Sequence, residues 1–256
     1  MHSFNTIGTF TLCKREIWRF AKVWNQTIIA PVITTLLFLA VLTLALGHEG
    51  RLIADMSYSA FVVPGLIMMA VVQNAFANTS SSLILSKIQG VIIDILMPPL
   101  TGGEITLALV AGGVVRGVAV GVVVMAVTYL FVPFEIQHVG YALFYMISAS
   151  VMLALLGVAA GIWAQGFDQM ASLTNYIVTP LAFLSGTFYS IHQLPEFWQQ
   201  LCYYNPFFYM IDGFRYAMTG YSDGSIATGM AVLTIINVVL WSATVIMFNK
   251  GYRLKT

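Results

Sequence analysis

Apolar residues in this chain come in long blocks, with polar residues gathered at the junctions. Six windows stand out, at residues 27–46, 60–80, 105–131, 141–164, 170–190 and 228–248. A helix rises about 1.5 Å per residue, so roughly 20 apolar residues cross roughly 30 Å of hydrocarbon. Each window has that length, and Arg116 is the one charge well inside any of them. A transmembrane β-barrel would show alternating segments of about ten residues, which are absent. The pattern predicts an all-α membrane protein with six transmembrane helices, residues 1–256 forming a single transmembrane domain.

The junctions carry patterns of their own. Before the first window, Phe10, Cys13, Ile17, Phe20 and Trp24 recur at helical spacing among Lys14, Arg15, Arg19 and Lys22. This predicts an N-terminal amphipathic interfacial helix over residues 3–25; the plainer alternative is a basic flank that sets topology. The stretch lacks the short apolar core and small-residue cleavage site of a secretion signal. In residues 87–99, Ile88, Val91, Ile92, Ile95 and Leu96 follow the i, i+3, i+4, i+7, i+8 spacing of an amphipathic helix. Pro98 and Pro99 stop it, and Gly102 and Gly103 turn the chain into the third window. Its apolar face needs a partner surface, either lipid headgroups or another protein. Residues 191–221 are dense in aromatics. Pro195 opens one short helix there and Asn205-Pro206 break it before a second. Such a segment reads either as a re-entrant helical hairpin or as an interfacial aromatic belt.

Charge adds orientation and exclusions. Only 8% of residues are charged, against about 25% in a soluble domain, so a soluble catalytic domain does not fit. A net charge of +1 without a basic stripe leaves nucleic acid without the cations that binding requires. Eight Lys and Arg residues fall on the side of the termini, including Lys87, Lys250, Arg253 and Lys255, against Arg51 and Arg215 on the other. The basic side is cytoplasmic, so both termini are expected in the cytoplasm of a cell with this chain in its inner membrane. Asp94 and Glu104 partly offset Lys87. Cys13 and Cys202 fall on opposite sides and cannot pair within one subunit, and no metal or redox spacing occurs.

The second window holds Gln73, Asn74, Asn78 and Ser81 on one broad face, with Met69 and Phe76 nearby. The fifth carries Asn175, Thr179 and Phe183 four apart, with Pro180 removing a backbone donor. Uncharged amides among Met and aromatic side chains suit a pathway for an amphipathic molecule; hydrogen bonding between helices is the competing account. Arg116 must face protein or water, with Asp168, Asp94 or Glu104 as candidate partners. It reads either as a headgroup contact or gating pair, or as a snorkelling side chain or static pair. Gly113, Gly117 and Gly121, like Gly157 and Gly161, repeat every fourth residue and mark close helix packing, within or between subunits. Asp212 and Arg215, three apart, can pair on a helix face. His192 and Glu196 are separated by Pro195 and lack further metal ligands. Neither a phosphate-binding P-loop nor H-E-x-x-H occurs, so no catalytic site is expected.

Residues 180–215 read PLAFLSGTFYSIHQLPEFWQQLCYYNPFFYMIDGFR. This resembles the ABC-2 family of ABC exporter permeases, whose pattern falls on Pro180, Leu184-Ser185-Gly186, Phe188, Leu194-Pro195, Trp198, Asn205-Pro206, Tyr209, Asp212 and Arg215. FVVPGLIMM at 61–69 is similar to the family's start of span two. The resemblance implies a permease, itself neither enzyme nor cofactor carrier, working as a homodimer in the lipid bilayer with two copies of a separate ABC ATPase that bind ATP and Mg. Segment 87–99 would be the coupling helix, its ATPase contacts drawn from Ile88, Val91, Ile92, Asp94, Ile95 and Leu96. Gly90 and Pro99 fit the family's G-x-x-E-x-L-x-x-x-P pattern, while Asp94 replaces its Glu one position late. Residues 191–221 would be the outer gate hairpin, through Pro195, Trp198, Asn205, Pro206, Tyr209, Asp212 and Arg215. Spans one, two and five would line the route, with Met69, Gln73, Asn74, Asn78, Asn175, Thr179 and Phe183 touching an amphipathic, lipid-linked, glycan or drug-like cargo. An ATP-independent channel or secondary carrier is the alternative, although a proton-coupled carrier usually places Asp, Glu or His within its spans.

Overall fold

Helix α3 (Tyr58–Ile88) is the axis on which the other helices hang, with 83% of its apolar window buried. The computed structural model describes residues 4–46, 52–53 and 56–253; His48, Glu49, Arg51 and Lys255 lie outside them. In chain order the elements begin with α1 (Thr6–Ala21), α2 (Ala30–Leu46) and a two-residue antiparallel pair, β1 (Leu52–Ile53) with β2 (Met56–Ser57). After α3 come α4 (Ile93–Leu96), α5 (Gly102–Tyr129), α6 (Val139–Trp163), α7 (Phe167–Leu173) and α8 (Thr179–Phe183). The chain closes with α9 (Glu196–Tyr204), α10 (Pro206–Thr219) and α11 (Ile226–Asn249).

Glycine decides how closely α5 and α6 approach α3. A Cβ on Gly157 would sit 2.6 Å from the Phe76 carbonyl oxygen, and one on Gly117 would sit 3.0 Å from that of Val71. Removing those methyl groups lets backbones touch, which is where van der Waals attraction between helices in lipid comes from. The Thr79 hydroxyl then donates across the contact to the Ala154 carbonyl at 2.8 Å. The glycine rows therefore pack helices within the subunit. By contrast, α2 and α11 keep only 11% and 17% of their apolar windows buried, so they present their surfaces outward.

Five helices among the described residues are long and apolar enough to cross a membrane: 25–45, α3, α5, α6 and α11. The fifth apolar window, 170–190, folds differently from one plain helix. It forms α7, a five-residue π-helical turn (Thr174–Val178) and α8, ending at Phe183. Pro180 has no N–H to donate and its ring crowds the preceding turn, which widens into i→i+5 bonding. A second π turn, Asn25–Ile29, stands just ahead of Pro31 at the start of α2. The two irregular helices flank α3.

The N-terminal amphipathic stretch is α1, shorter than the expected 3–25. Asn5 caps it by accepting from the Gly8 N–H at 2.9 Å. It buries Thr9, Leu12 and Glu16 and leaves Ile7, Phe10 and Trp18 exposed. Its contacts climb α5, because the Asn5 N–H donates to Glu104 and Glu16 sits on Gly112. From Glu104 to Gly112 is about 12 Å of helix.

Candidate functional site

The segment after α3 is not the single amphipathic helix its apolar spacing predicts. Gly90 adopts φ +73°, a left-handed conformation that ends α3 and costs other residues energy. Only Ile93–Leu96 then form a helical turn. The apolar residues consequently separate into two sets. Ile92 and Ile95 are buried against Leu12, Ile105 and Leu109. Ile88, Val91, Ile93 and Met97 point outward, Met97 being 77% exposed. Asp94 is also exposed, and Leu96 is half-buried. Glu104 is occupied as a helix cap, accepting from the Thr101 N–H at 2.6 Å and from the Thr101 hydroxyl at 2.8 Å.

Between α1, α3 and α5 lies a polar cluster. Arg116 donates through Nε and an Nη to the Asn74 amide oxygen at 3.3 and 3.1 Å. Its partner is thus a neutral amide rather than Asp168, Asp94 or Glu104, and no ion pair among the described residues involves it. One turn along α3, the Asn78 amide oxygen accepts from Arg19 at 3.0 Å, and Arg19 also reaches the Ser81 hydroxyl at 3.2 Å. Fully buried Glu16 pairs with Arg15 at 3.0 Å and Arg19 at 3.3 Å. Sequence reasoning missed Glu16; its signal was the single acid in a basic amphipathic helix. Burial, and after it the Glu16 carboxylate, pushes the Cys13 thiol above its ordinary pKa.

Three cavities run along one side of α3. The first, about 490 Å³, lies between α3 and α7–α8, with Gln73, Phe76, Ser81, Thr174 and Thr179 in its wall. The second, about 270 Å³, lies between α2 and α3 and includes Gln26, Thr35, Met69, Gln73 and Asn74. The third, about 330 Å³, is framed by Phe38, Tyr58, Phe183 and Phe188. Gln73 belongs to the first two, and Phe38 and Phe188 to the last two. Stacking of Phe38 on Phe188 at 6.3 Å, and packing of Phe183 beside Phe188 at 5.4 Å, makes an aromatic narrowing between them. From Ile84 to Tyr58 the track spans roughly 40 Å of α3. Five of the seven expected pathway residues line it: Met69, Gln73, Asn74, Thr179 and Phe183. Asn78 is buried behind it in the arginine cluster, and Asn175 is exposed.

At the opposite end from Gly90, helices α9 and α10 meet at Asn205-Pro206. The Asn205 amide nitrogen donates to the Leu181 carbonyl at 2.7 Å, while its oxygen accepts from the Phe207 N–H at 3.0 Å. Pro206 occupies the first turn of α10, where a missing donor costs nothing. The hydroxyl of Tyr209 donates to the Tyr203 carbonyl at 2.9 Å. Pro195 and Trp198 stay exposed.

Arg215 is wholly buried at the centre of this end. Its Nε and an Nη donate to the Phe61 and Gly186 carbonyls at 3.3 and 2.6 Å, and its guanidinium lies 3.9 Å from the Phe61 ring centroid. Asp212 sits 3.8 Å away and accepts from the Asp223 and Gly224 N–H groups at 2.8 and 2.9 Å. Burial pushes the Asp212 carboxyl up, against the pull of Arg215 and those donors. Asp223, which sequence reasoning missed, accepts from the Ser190 hydroxyl at 2.7 Å and the Ile191 N–H at 3.1 Å. The hairpin is therefore bolted to α3 and to the turn after α8.

The ABC-2 type transporter family profile matches residues 8–219. The inner membrane transport permease YadH of Escherichia coli (strain K12) is 36% identical over 242 residues, covering 94% of each chain. Nodulation protein J of Rhizobium leguminosarum bv. viciae is 25% identical over 234 residues, covering 87% of this chain and 88% of that relative.

Proposed function

Because this chain belongs to the ABC-2 type transporter family, we propose that it is the permease subunit of an ATP-driven exporter for an amphipathic, lipid-linked, glycan or drug-like cargo. The observation that carries the reading is the cavity track along α3, polar at Gln73, Ser81, Thr174 and Thr179 and aromatic at Phe38, Phe183 and Phe188. A cargo with a polar head and an apolar tail finds both surfaces in one groove. The irregular α7–α8 run forms the remaining crossing, giving six, with both termini cytoplasmic in the inner membrane. Helices α9 and α10 form a re-entrant hairpin that closes the far side.

Segment 88–97 supplies the coupling. Ile92 and Ile95 anchor it to the bundle, leaving Ile88, Val91, Ile93 and Met97 to enter a groove on the ATPase. Two permease copies and two ATPases, which bind ATP and Mg, complete the exporter. In a chain lacking Cys13 and Cys202, cysteine replaces Gln73 or Thr179 and an aqueous maleimide reports access in membranes. We expect trapping with ATP and vanadate to change both labelling rates at least tenfold. Equal rates in every nucleotide state would refute the reading.

A further inference from the structure

The cytoplasmic end of α6 is closed by two cations from other helices. The last carbonyls of a helix have no partner within it and carry the negative end of its dipole. Here the Lys87 ammonium, on a residue only 7% exposed, donates to the Gly161, Ile162 and Ala164 carbonyls at 3.2, 2.6 and 2.8 Å. The Trp163 carbonyl between them accepts from Arg253 at 3.2 Å. All four consecutive carbonyls are thus occupied, and all three ammonium donors are used.

Lys87 belongs to the last turn of α3, three residues before the left-handed Gly90. Its acceptors end α6, three residues before α7 begins at Phe167. Past that point α7 and its π turn place Phe167, Met170 and Thr174 in the wall of the 490 Å³ cavity. We propose that Lys87 is a positioning residue, the joint that ties the base of the ATPase-facing segment to the head of the α7–α8 wall. A push on residues 88–97 moves the α3 and α6 ends together, and with them the cavity wall. Arg253 is a peripheral second clasp. The proposal rests on the reading that residues 88–97 receive the ATPase.

The test uses the assembled complex in membranes, in a chain freed of Cys13 and Cys202. Labelling at Met97→Cys reports the ATPase-facing segment, and labelling at Thr179→Cys reports the cavity wall. With Lys87 intact, ATP and vanadate change both rates at least tenfold. In Lys87→Met the change at Met97→Cys persists and that at Thr179→Cys falls below twofold, while Lys87→Arg restores it. Lys87→Gln, which keeps one donor group, gives an intermediate response where the methionine variant fails to assemble. Without nucleotide, hydrogen exchange at amides 161–166 quickens at least tenfold in Lys87→Met. A full nucleotide response at both positions in Lys87→Met, or unchanged exchange at 161–166, overturns the joint. Absence of any response at Met97→Cys with Lys87 intact defeats instead the ATPase-docking reading on which it rests.

Discussion

Replacing Arg215 by methionine tests whether the buried arginine holds the α9–α10 hairpin shut. The substitution keeps much of the apolar stem but removes the bonds to the Phe61 and Gly186 carbonyls, the stacking on Phe61 and the charge facing Asp212. Asp212 retains two backbone donors but loses its buried counter-charge. Removing one member of a buried pair costs about 3–5 kcal/mol. At about 2–4 °C per kcal/mol for a chain near this size, a central cost of about 4 kcal/mol lowers the melting midpoint by roughly 8–16 °C. Intrinsic fluorescence during heating in lipid nanodiscs reads this directly. Adding Asp212→Asn removes the stranded charge and recovers at least about 1 kcal/mol. A second reporter is local: Cys202 is fully buried and its thiol donates to the Leu184 carbonyl at 3.0 Å. It resists maleimide in the parent chain and reacts in Arg215→Met. A midpoint shift under 3 °C with Cys202 still protected would refute the bolt.

Three further outcomes follow from local geometry. Gly90→Ala destabilises by about 1–2 kcal/mol, purely through the left-handed backbone because nothing lies within 4 Å of the added carbon, and Gly90→Asn costs less; thermal melting ranks the two. Gly157→Val drives side-chain carbon into the Phe76 carbonyl and Thr79, so the folded yield on size exclusion collapses, whereas Gly140→Val, with open space around it, leaves it unchanged. Cys13 has its thiol pushed up by burial and by Glu16, so its thiolate fraction and maleimide rate rise at higher pH than those of a free cysteine. A rate profile matching free cysteine would contradict the buried carboxylate beside it.

The helical membrane character was legible because one-dimensional hydropathy is sufficient to see it. The windows around α3, α5, α6 and α11 needed only length and the absence of charge. The irregularity at 170–183 was partly legible, since Pro180 announced a lost hydrogen bond but not the π turn that absorbs it. Apolar spacing misled at residues 88–96, where a left-handed glycine divides what periodicity reads as one face. Among polar residues, pattern found the Asp212–Arg215 pair because its members are three apart on one helix. It could not find Asp223, Glu16 or the acceptors of Lys87, whose partners lie on other elements. Lys87 counted only as a positive charge that sets orientation, and nothing in the sequence joins it to carbonyls 74 to 77 residues away.

The most direct measurement is purification of the tagged chain from its own membranes under mild detergent, with the bound proteins identified and ATP hydrolysis assayed. The account predicts a P-loop ATPase in equal amount to the chain, vanadate-sensitive hydrolysis, and loss of both in Ile93→Glu/Met97→Glu, whose exposed side chains leave the fold intact. Recovery of the chain without any ATPase, or an ATPase retained in full by that double variant, would contradict it.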